Sequence, residues 1–222
     1  MEGILPVLIG IAVAVFIIFS ILAGIRREKE MREWGDKYGL QYTKKESGMD
    51  DAFPQFSCLR RGHSRYAKNI LTGYIEKVSV CAFDYHYTTG SGKNQSHHSF
   101  SSLMINTGLP LKPLFIRTEN FFDKVTEFAG FDDIDFESSE FSNEFYVKSP
   151  DKKWAYDVLH QKSMEFLLQA PRFTLDFQGP YIMAYRNRKF VLSDFEDAYK
   201  VITGLINLLP EYLMRELKGE NN

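Results

Sequence analysis

The chain begins with a continuous apolar run, which is followed by segments in which apolar and polar residues alternate. Residues Gly3 to Ile25 carry no charge and one hydroxyl, that of Ser20, and the run ends at Arg26-Arg27-Glu28-Lys29. A helix rises about 1.5 Å per residue, so a run of this length crosses a hydrocarbon core of about 30 Å with modest tilt. The pattern predicts a transmembrane anchor over residues 1–25.

A cleaved signal peptide is the alternative interpretation of this run. Such peptides have a basic leader, a shorter apolar core of about 7–15 residues and small residues before the cleavage site. Here the leader is Met1-Glu2, and neither Ala23 nor Gly24 has a small residue two positions earlier. The sequence therefore favours a retained anchor.

The charges that flank the anchor predict its orientation. Arg26, Arg27 and Lys29 follow the apolar run, whereas no Lys or Arg precedes it. Because basic residues near the end of a span resist translocation, the N-terminus is expected outside and the rest of the chain in the cytoplasm. This predicts a single-pass protein of a cell inner membrane.

The residues after the anchor first predict a helix. Met31, Trp34 and Tyr38 share one face among charges of alternating sign, and Gly39 is suited to end the helix. We therefore predict a juxtamembrane helix over residues 26–40 and one soluble domain over residues 41–222.

From Gln41 to about Arg117 the pattern has the period of two that is typical of strands. In the segment that starts at Val78, the side chains of Phe83, Tyr85 and Tyr87 lie on one side of the strand and are expected to point to the core. The polar connection Thr88 to Ser96 predicts a hairpin. This half of the domain is therefore expected to form an antiparallel sheet.

The second half predicts helices. Ser149-Pro150-Asp151 is a start signal for a helix that runs to about Gln169, Ser193-Asp194-Phe195-Glu196 resembles a capping box, and Asn120 is placed to cap a helix that ends near Gly130. Strands, helices, a further hairpin after Pro171 and a final helix predict an α+β fold, in which an antiparallel sheet packs with three or four helices.

Composition restricts the function more than it defines it. The net charge of −2 argues against a nucleic-acid-binding protein, and Cys58 and Cys81 are most simply buried thiols in a reducing compartment. Gly90-Ser91-Gly92-Lys93 resembles a phosphate loop, but it lacks the first glycine and the following Ser or Thr. No cofactor and no catalytic residue is predicted.

One weaker candidate for a metal site involves the hairpin. If the turn is centred on Gly92, His86 faces His98, and Asp84 lies two residues along on the same face. Two imidazoles and a carboxylate are ligands for a divalent metal, but a fourth ligand is missing. An exposed polar face of the hairpin is the alternative.

A basic stretch is the remaining candidate surface. Its members are Arg60, Arg61, His63, Arg65 and Lys68, and no acidic residue lies between Ala52 and Ile75. Basic side chains near an anionic leaflet contribute about 1 kcal/mol each, so the stretch is a candidate contact for lipid headgroups. A solvated loop, or pairing with the acidic residues 119–144, is the alternative.

Three strings resemble a family of uncharacterised bacterial proteins with N-terminal membrane segments. They are Phe83-Asp84-Tyr85-His86-Tyr87-Thr88-Thr89-Gly90, Asp133-Ile134-Asp135-Phe136 and Phe141-Ser142-Asn143-Glu144-Phe145-Tyr146-Val147. The resemblance covers most of the chain after the anchor. It implies a prokaryotic membrane protein and supplies no catalytic residues.

These observations predict a membrane-anchored cytoplasmic domain that acts as an interaction or scaffolding module with an unknown protein partner. One alternative is a lipid or small-ligand carrier with a cavity lined by some of the 19 Phe and 12 Tyr residues. A second is an uncharacterised hydrolase. The sequence leaves enzymatic activity open and favours a non-enzymatic role.

Overall fold

A single long helix, α1, joins the apolar run to the domain. The computed structural model describes residues 4–118 and 133–220, with side chains from Leu8 onward, so the helix predicted after Asn120 lies outside the described residues. Helix α1 spans Ile4–Tyr38 without a break. Gly39 follows with φ of 67°, a left-handed conformation that favours glycine and ends the helix.

The two halves of α1 have different surroundings. The apolar half is exposed around its circumference; Phe16 is 69% and Phe19 is 70% exposed. In the second half, Met31 is fully buried and Trp34 is 4% exposed. Exposed apolar side chains on every face are typical of a helix whose partner is lipid, and this helix is long and apolar enough to cross a membrane.

The domain is built on a six-stranded sheet in which every pairing is antiparallel. Neighbouring strands follow the order β1-β2-β3-β4, and β4 also pairs with β5 and β6. The strands are β1 Gln41–Glu46, β2 His63–Ile75, β3 Val78–Thr89, β4 Ser96–Thr118, β5 Phe145–Lys148 and β6 Thr174–Arg186. The predicted α+β fold is confirmed.

One further helix lies between β1 and β2, and the others follow the first four strands. They are α2 Met49–Ala52, α3 Ser139–Glu144, α4 Lys152–Val158, α5 Gln161–Gln169, α6 Leu192–Leu208 and α7 Glu211–Lys218. The predicted helix from Ser149 to Gln169 is wrong in two respects. The helix is interrupted at Leu159 and His160, where the His160 ring contacts the Leu208 carbonyl oxygen at 2.8 Å. In addition, the residue that caps the N-terminus of α4 is Asp151 and not Ser149. Helices α2, α3 and α7 were not predicted.

The sheet is covered on both faces, which corrects the predicted core. Val80 and Ala82 of β3 belong to the larger core, where α1 and α6 pack. Phe83 and Tyr85 point to the opposite face and form a second core with Phe56 and neighbours from the α2 segment. A strand buried on both faces loses the apolar–polar alternation by which one core face is recognised.

Candidate functional site at the junction of anchor and domain

A buried ion pair joins α1 to the sheet where the apolar run ends. Arg27 donates from Nη2 to Asp84 Oδ1 at 2.8 Å and from Nε to Oδ2 at 3.0 Å. The Asp84 side chain is fully buried, and that of Arg27 is 12% exposed. The planar guanidinium therefore meets the carboxylate with two parallel hydrogen bonds, the geometry that gives Arg–carboxylate pairs their strength.

Neighbouring strands complete the surroundings of Asp84. Asn69 of β2 donates to Oδ2 at 2.9 Å, and the Ser101 hydroxyl of β4 donates to Oδ1. Tyr42 of β1 in turn donates to the Asn69 amide oxygen at 2.9 Å. The carboxylate thus accepts four hydrogen bonds, which is its full capacity. Four strands and α1 meet in this network.

The electrostatics of Asp84 follow from these contacts. Burial by itself raises the pKa of the carboxyl group, but hydrogen bonding and charge attraction from Arg27, with hydrogen bonds from Ser101 and Asn69, hold the pKa of Asp84 below its ordinary value. Asp84 is therefore ionised at neutral pH. A buried charge is tolerated when it is paired with an opposite charge and fully hydrogen-bonded, but the loss of either member of the pair leaves an uncompensated buried charge.

Aromatic packing continues the junction along α1. Trp34 lies 5.2 Å from the ring of Phe195 on α6, and the Arg27 guanidinium lies 5.7 Å from the same ring. Lys37 pairs with Glu196 at 2.7 Å at the exposed rim. Helix α1 is thus fixed between the sheet and α6.

The contacts of α1 show which end of the sheet adjoins the apolar run. Gly35 lies against Leu71, which pairs with Ala82, whereas Arg27 reaches Asp84, two residues further along β3. Moving along α1 towards its N-terminus therefore follows β3 towards the β3–β4 hairpin. The hairpin end of the sheet lies on the same side of the ion pair as the apolar run.

A basic groove lies beside the ion pair, between α1 and strands β1 and β2. Its volume is about 350 Å³. The α1 wall is formed by Ile21, Gly24 and Ile25, the last turns of the apolar run, and by the charged residues Arg27 and Glu28 that follow them. The other wall carries Lys44, Lys45, Lys68 and Lys189. We call this the junction groove.

Two hydrogen bonds hold the loop that carries Lys189. The Phe190 amide donates to the Ser101 hydroxyl at 2.9 Å, and the Ser101 amide donates to the Arg188 carbonyl at 3.2 Å. The loop is therefore attached to β4 on both sides of Lys189. The same Ser101 hydroxyl donates to Asp84, so the junction groove and the ion pair share one scaffold.

The histidines do not meet as the metal hypothesis requires. β3 and β4 pair His86 with Ser99 and Tyr87 with His98, which places His86 and His98 on opposite faces of the sheet. His86 stacks on His97 instead, with 5.5 Å between ring centroids, and burial together with His97 and Lys68 lowers the pKa of His86. Within the described residues no group of three His, Cys, Asp or Glu side chains is arranged to hold a metal.

The basic stretch is mainly strand, not loop, because β2 begins at His63. Arg65 pairs with Asp50 at 2.8 Å and donates to the carbonyls of Arg60 and Gly62, and the His63 ring contacts the Gly90 carbonyl at 2.9 Å. His63 pairs with Thr88, so the stretch lies at the hairpin end of the sheet. Lys68 alone of this set lines the junction groove.

Sequence reasoning assigned Arg27 to the membrane flank and Asp84 to a metal, and it missed their pairing. It also missed Asn69, Ser101 and Lys189. One signal was present: Asp84 follows the apolar residues Val80 and Ala82 on one face of the strand, and a buried carboxylate needs a cationic partner. Arg27, a basic residue at the end of the anchor, was available as that cationic partner.

Comparison with known proteins identifies a fold but no family. No family model matches the chain, and no curated protein is similar to it. A similar solved structure is the mycobacterial trehalose monomycolate transport factor A, TtfA, with a TM-score of 0.61 and 11% identity over 82% of this chain and 96% of that one. The two proteins share a fold. The resemblance to uncharacterised bacterial proteins remains a prediction.

Proposed function

We propose that the protein is a single-pass membrane protein whose α+β domain acts as an interaction module held in a fixed orientation at the cytoplasmic surface of an inner membrane. The observation that carries the proposal is the buried Arg27–Asp84 pair at the end of the apolar run. A catalytic domain needs only a tether to remain at a membrane. A domain bonded to its own anchor presents the same surface to a partner in the same membrane.

The structural neighbour supports an accessory role. TtfA is described as a transport factor, a term for a protein that assists transport. We extend only that idea, an anchored module that serves a membrane process, to this chain. The packing also favours a module over a carrier with an aromatic cavity, because the largest buried rings, such as Tyr85, Tyr185 and Phe177, lie within the two cores.

Protease treatment of oriented vesicles tests the topology. In inverted vesicles the domain is expected to be digested, and in right-side-out vesicles it is expected to be protected. Digestion only in right-side-out vesicles would overturn the cytoplasmic assignment. Partial digestion that cuts next to residue 41 would support a domain boundary there, whereas a protected core that still contains α1 would contradict it.

Photo-crosslinking in native membranes tests the interaction role. Tyr74, Tyr156 and Tyr212 are exposed aromatic residues on different elements, so a photoreactive phenylalanine at each position should leave the fold intact. We expect one position to give an adduct with a single membrane protein. The yield of this adduct should fall when Asp84→Asn releases the domain from the anchor. Adducts that are unchanged in that variant would show that orientation has no role.

A further inference from the structure

We propose that the junction groove binds the phosphate headgroup of one anionic phospholipid from the leaflet that faces the domain. The proposal rests on the membrane anchor of the proposed function, because it requires α1 to lie in a bilayer, and it holds for either orientation of the domain. Its site shares only Lys68 with the basic stretch, and it specifies a lipid class and a stoichiometry that the module proposal does not.

The first argument is an uncompensated positive charge. Lys45 and Lys68 are directly opposite each other on β1 and β2, a cross-strand arrangement of like charges that is destabilising without a counter-ion. Within the described residues no carboxylate lies within ion-pair distance of Lys68 or Lys189. The residue that faces Lys68 on β3 is Asp84, whose four acceptor positions are already filled.

The surroundings of Lys68 support this argument. Burial lowers the pKa of Lys68, and the positive charges of Lys189, Lys45 and Arg27 lower it further, whereas Asp84 opposes the shift. The ammonium group is thus half-buried among cations. An anion placed between Lys68 and Lys189 would offset both the desolvation and the repulsion.

The second argument is the shape of the groove. Gly24 has open space where a side chain would be, and Ile21 and Ile25 form an apolar wall beside it. The opposite wall is basic. A groove with one wall continuous with a membrane span and the other cationic matches a phospholipid, whose phosphate and acyl chains need these two surfaces together.

The remaining lysines show how the site is organised. Lys44 is paired with Glu28 at 3.2 Å, and the Lys45 ammonium lies 4.1 Å from the centre of the Tyr66 ring. Lys68 and Lys189 are therefore the cations available to a phosphate. The rigid attachment of the loop at Phe190 keeps Lys189 in place before a lipid arrives.

The test measures lipid retained by the full chain in mild detergent by native mass spectrometry, with short-chain phosphatidylglycerol and phosphatidylcholine as probes. We expect one phosphatidylglycerol bound per chain and about 30-fold weaker binding in Lys68→Gln/Lys189→Gln, which corresponds to about 1 kcal/mol for each lysine. The matched control is Lys152→Gln/Lys153→Gln, two exposed lysines of α4. Lys68→Arg/Lys189→Arg should retain binding.

Several outcomes would overturn the proposal. They are equal retention of phosphatidylcholine, equal loss in the α4 control, and loss in the arginine variant although its circular dichroism is unchanged. Displacement of the lipid by equimolar inorganic phosphate would assign the site to a free anion. If the protease test places the domain in the cytoplasm but no lipid binds, the lipid proposal fails and the module proposal stands. If the protease test places the domain outside and the lipid still binds, only the proposed topology fails.

Discussion

Replacement of Asp84 by Asn should uncouple the domain from its anchor. The substitution preserves shape but removes the charge that accepts two hydrogen bonds from Arg27. Loss of one partner of a buried ion pair costs about 3–5 kcal/mol. We expect the lower end, about 3 kcal/mol, because the Arg27 side chain is 12% exposed and is long enough to reach water or headgroups.

Pulse proteolysis of the full chain in detergent, as a function of urea concentration, measures this loss. With a slope of about 2 kcal/mol per M urea, the midpoint should fall by about 1.5 M. The matched control is Glu196→Gln, the same chemical change at the exposed pair with Lys37, which should cost less than about 1 kcal/mol. The variant Arg27→Gln/Asp84→Asn should be more stable than Asp84→Asn, because it buries no unpaired charge. Equal midpoints for Asp84→Asn and Glu196→Gln would refute the structural role of the pair.

Three further predictions concern the pH dependence of the ion pair and two other positions in the domain. The advantage of the native chain over Asp84→Asn should be constant above about pH 5, decrease as the pH falls through the ordinary Asp pKa of about 3.9, and disappear only below the lowered pKa of folded Asp84. A carboxyl group with a lowered pKa contributes stability that is lost as it protonates, and urea midpoints across this range test the sign. Gly204→Ala should lower the melting temperature at a cost of about 1–2 kcal/mol, because a Cβ there would lie 2.5 Å from Phe166 Cζ, and Phe166→Leu should restore part of the loss; calorimetry measures both. Cys81 is half-buried, and desolvation raises the pKa of its thiol to about 12. Maleimide should therefore label it slowly at about pH 8 in the folded chain and rapidly in urea, and equal rates by mass spectrometry would contradict the raised pKa.

Local patterns predicted the elements better than their partners. The period of two between Gln41 and Arg117 correctly indicated antiparallel strands, except between Glu46 and His63, where the chain forms α2, and Gly39 marked the end of α1. The hairpin register was wrong by one residue, since Thr89 pairs with Ser96, and a slip of one residue exchanges the two faces of a strand. That slip created the expected meeting of His86 and His98.

The candidate site depends on contacts that have no local signal. Arg27 and Asp84 are 57 positions apart, and their pairing follows from how α1 packs on the sheet. The break between α4 and α5 has the same origin, because neither Leu159 nor His160 disfavours a helix strongly, and tertiary contacts such as that of His160 with Leu208 override propensity. The sequence predicted the membrane anchor and drew attention to Arg27 and Asp84 separately, whereas long-range packing determined that they form one site.

Because α1 is uninterrupted, it acts as a rigid lever that transmits tilt of the membrane span to the domain. From Arg26 to Tyr38 the helix extends about 20 Å beyond the apolar run without a hinge. A span that tilts by about 20°, an average value in bilayers, would move the far end of this segment sideways by about 7 Å. Because Arg27, Trp34 and Lys37 attach the domain along the lever, the whole domain would follow. Bilayer thickness, which sets the tilt of a span, would thereby set the position of the domain.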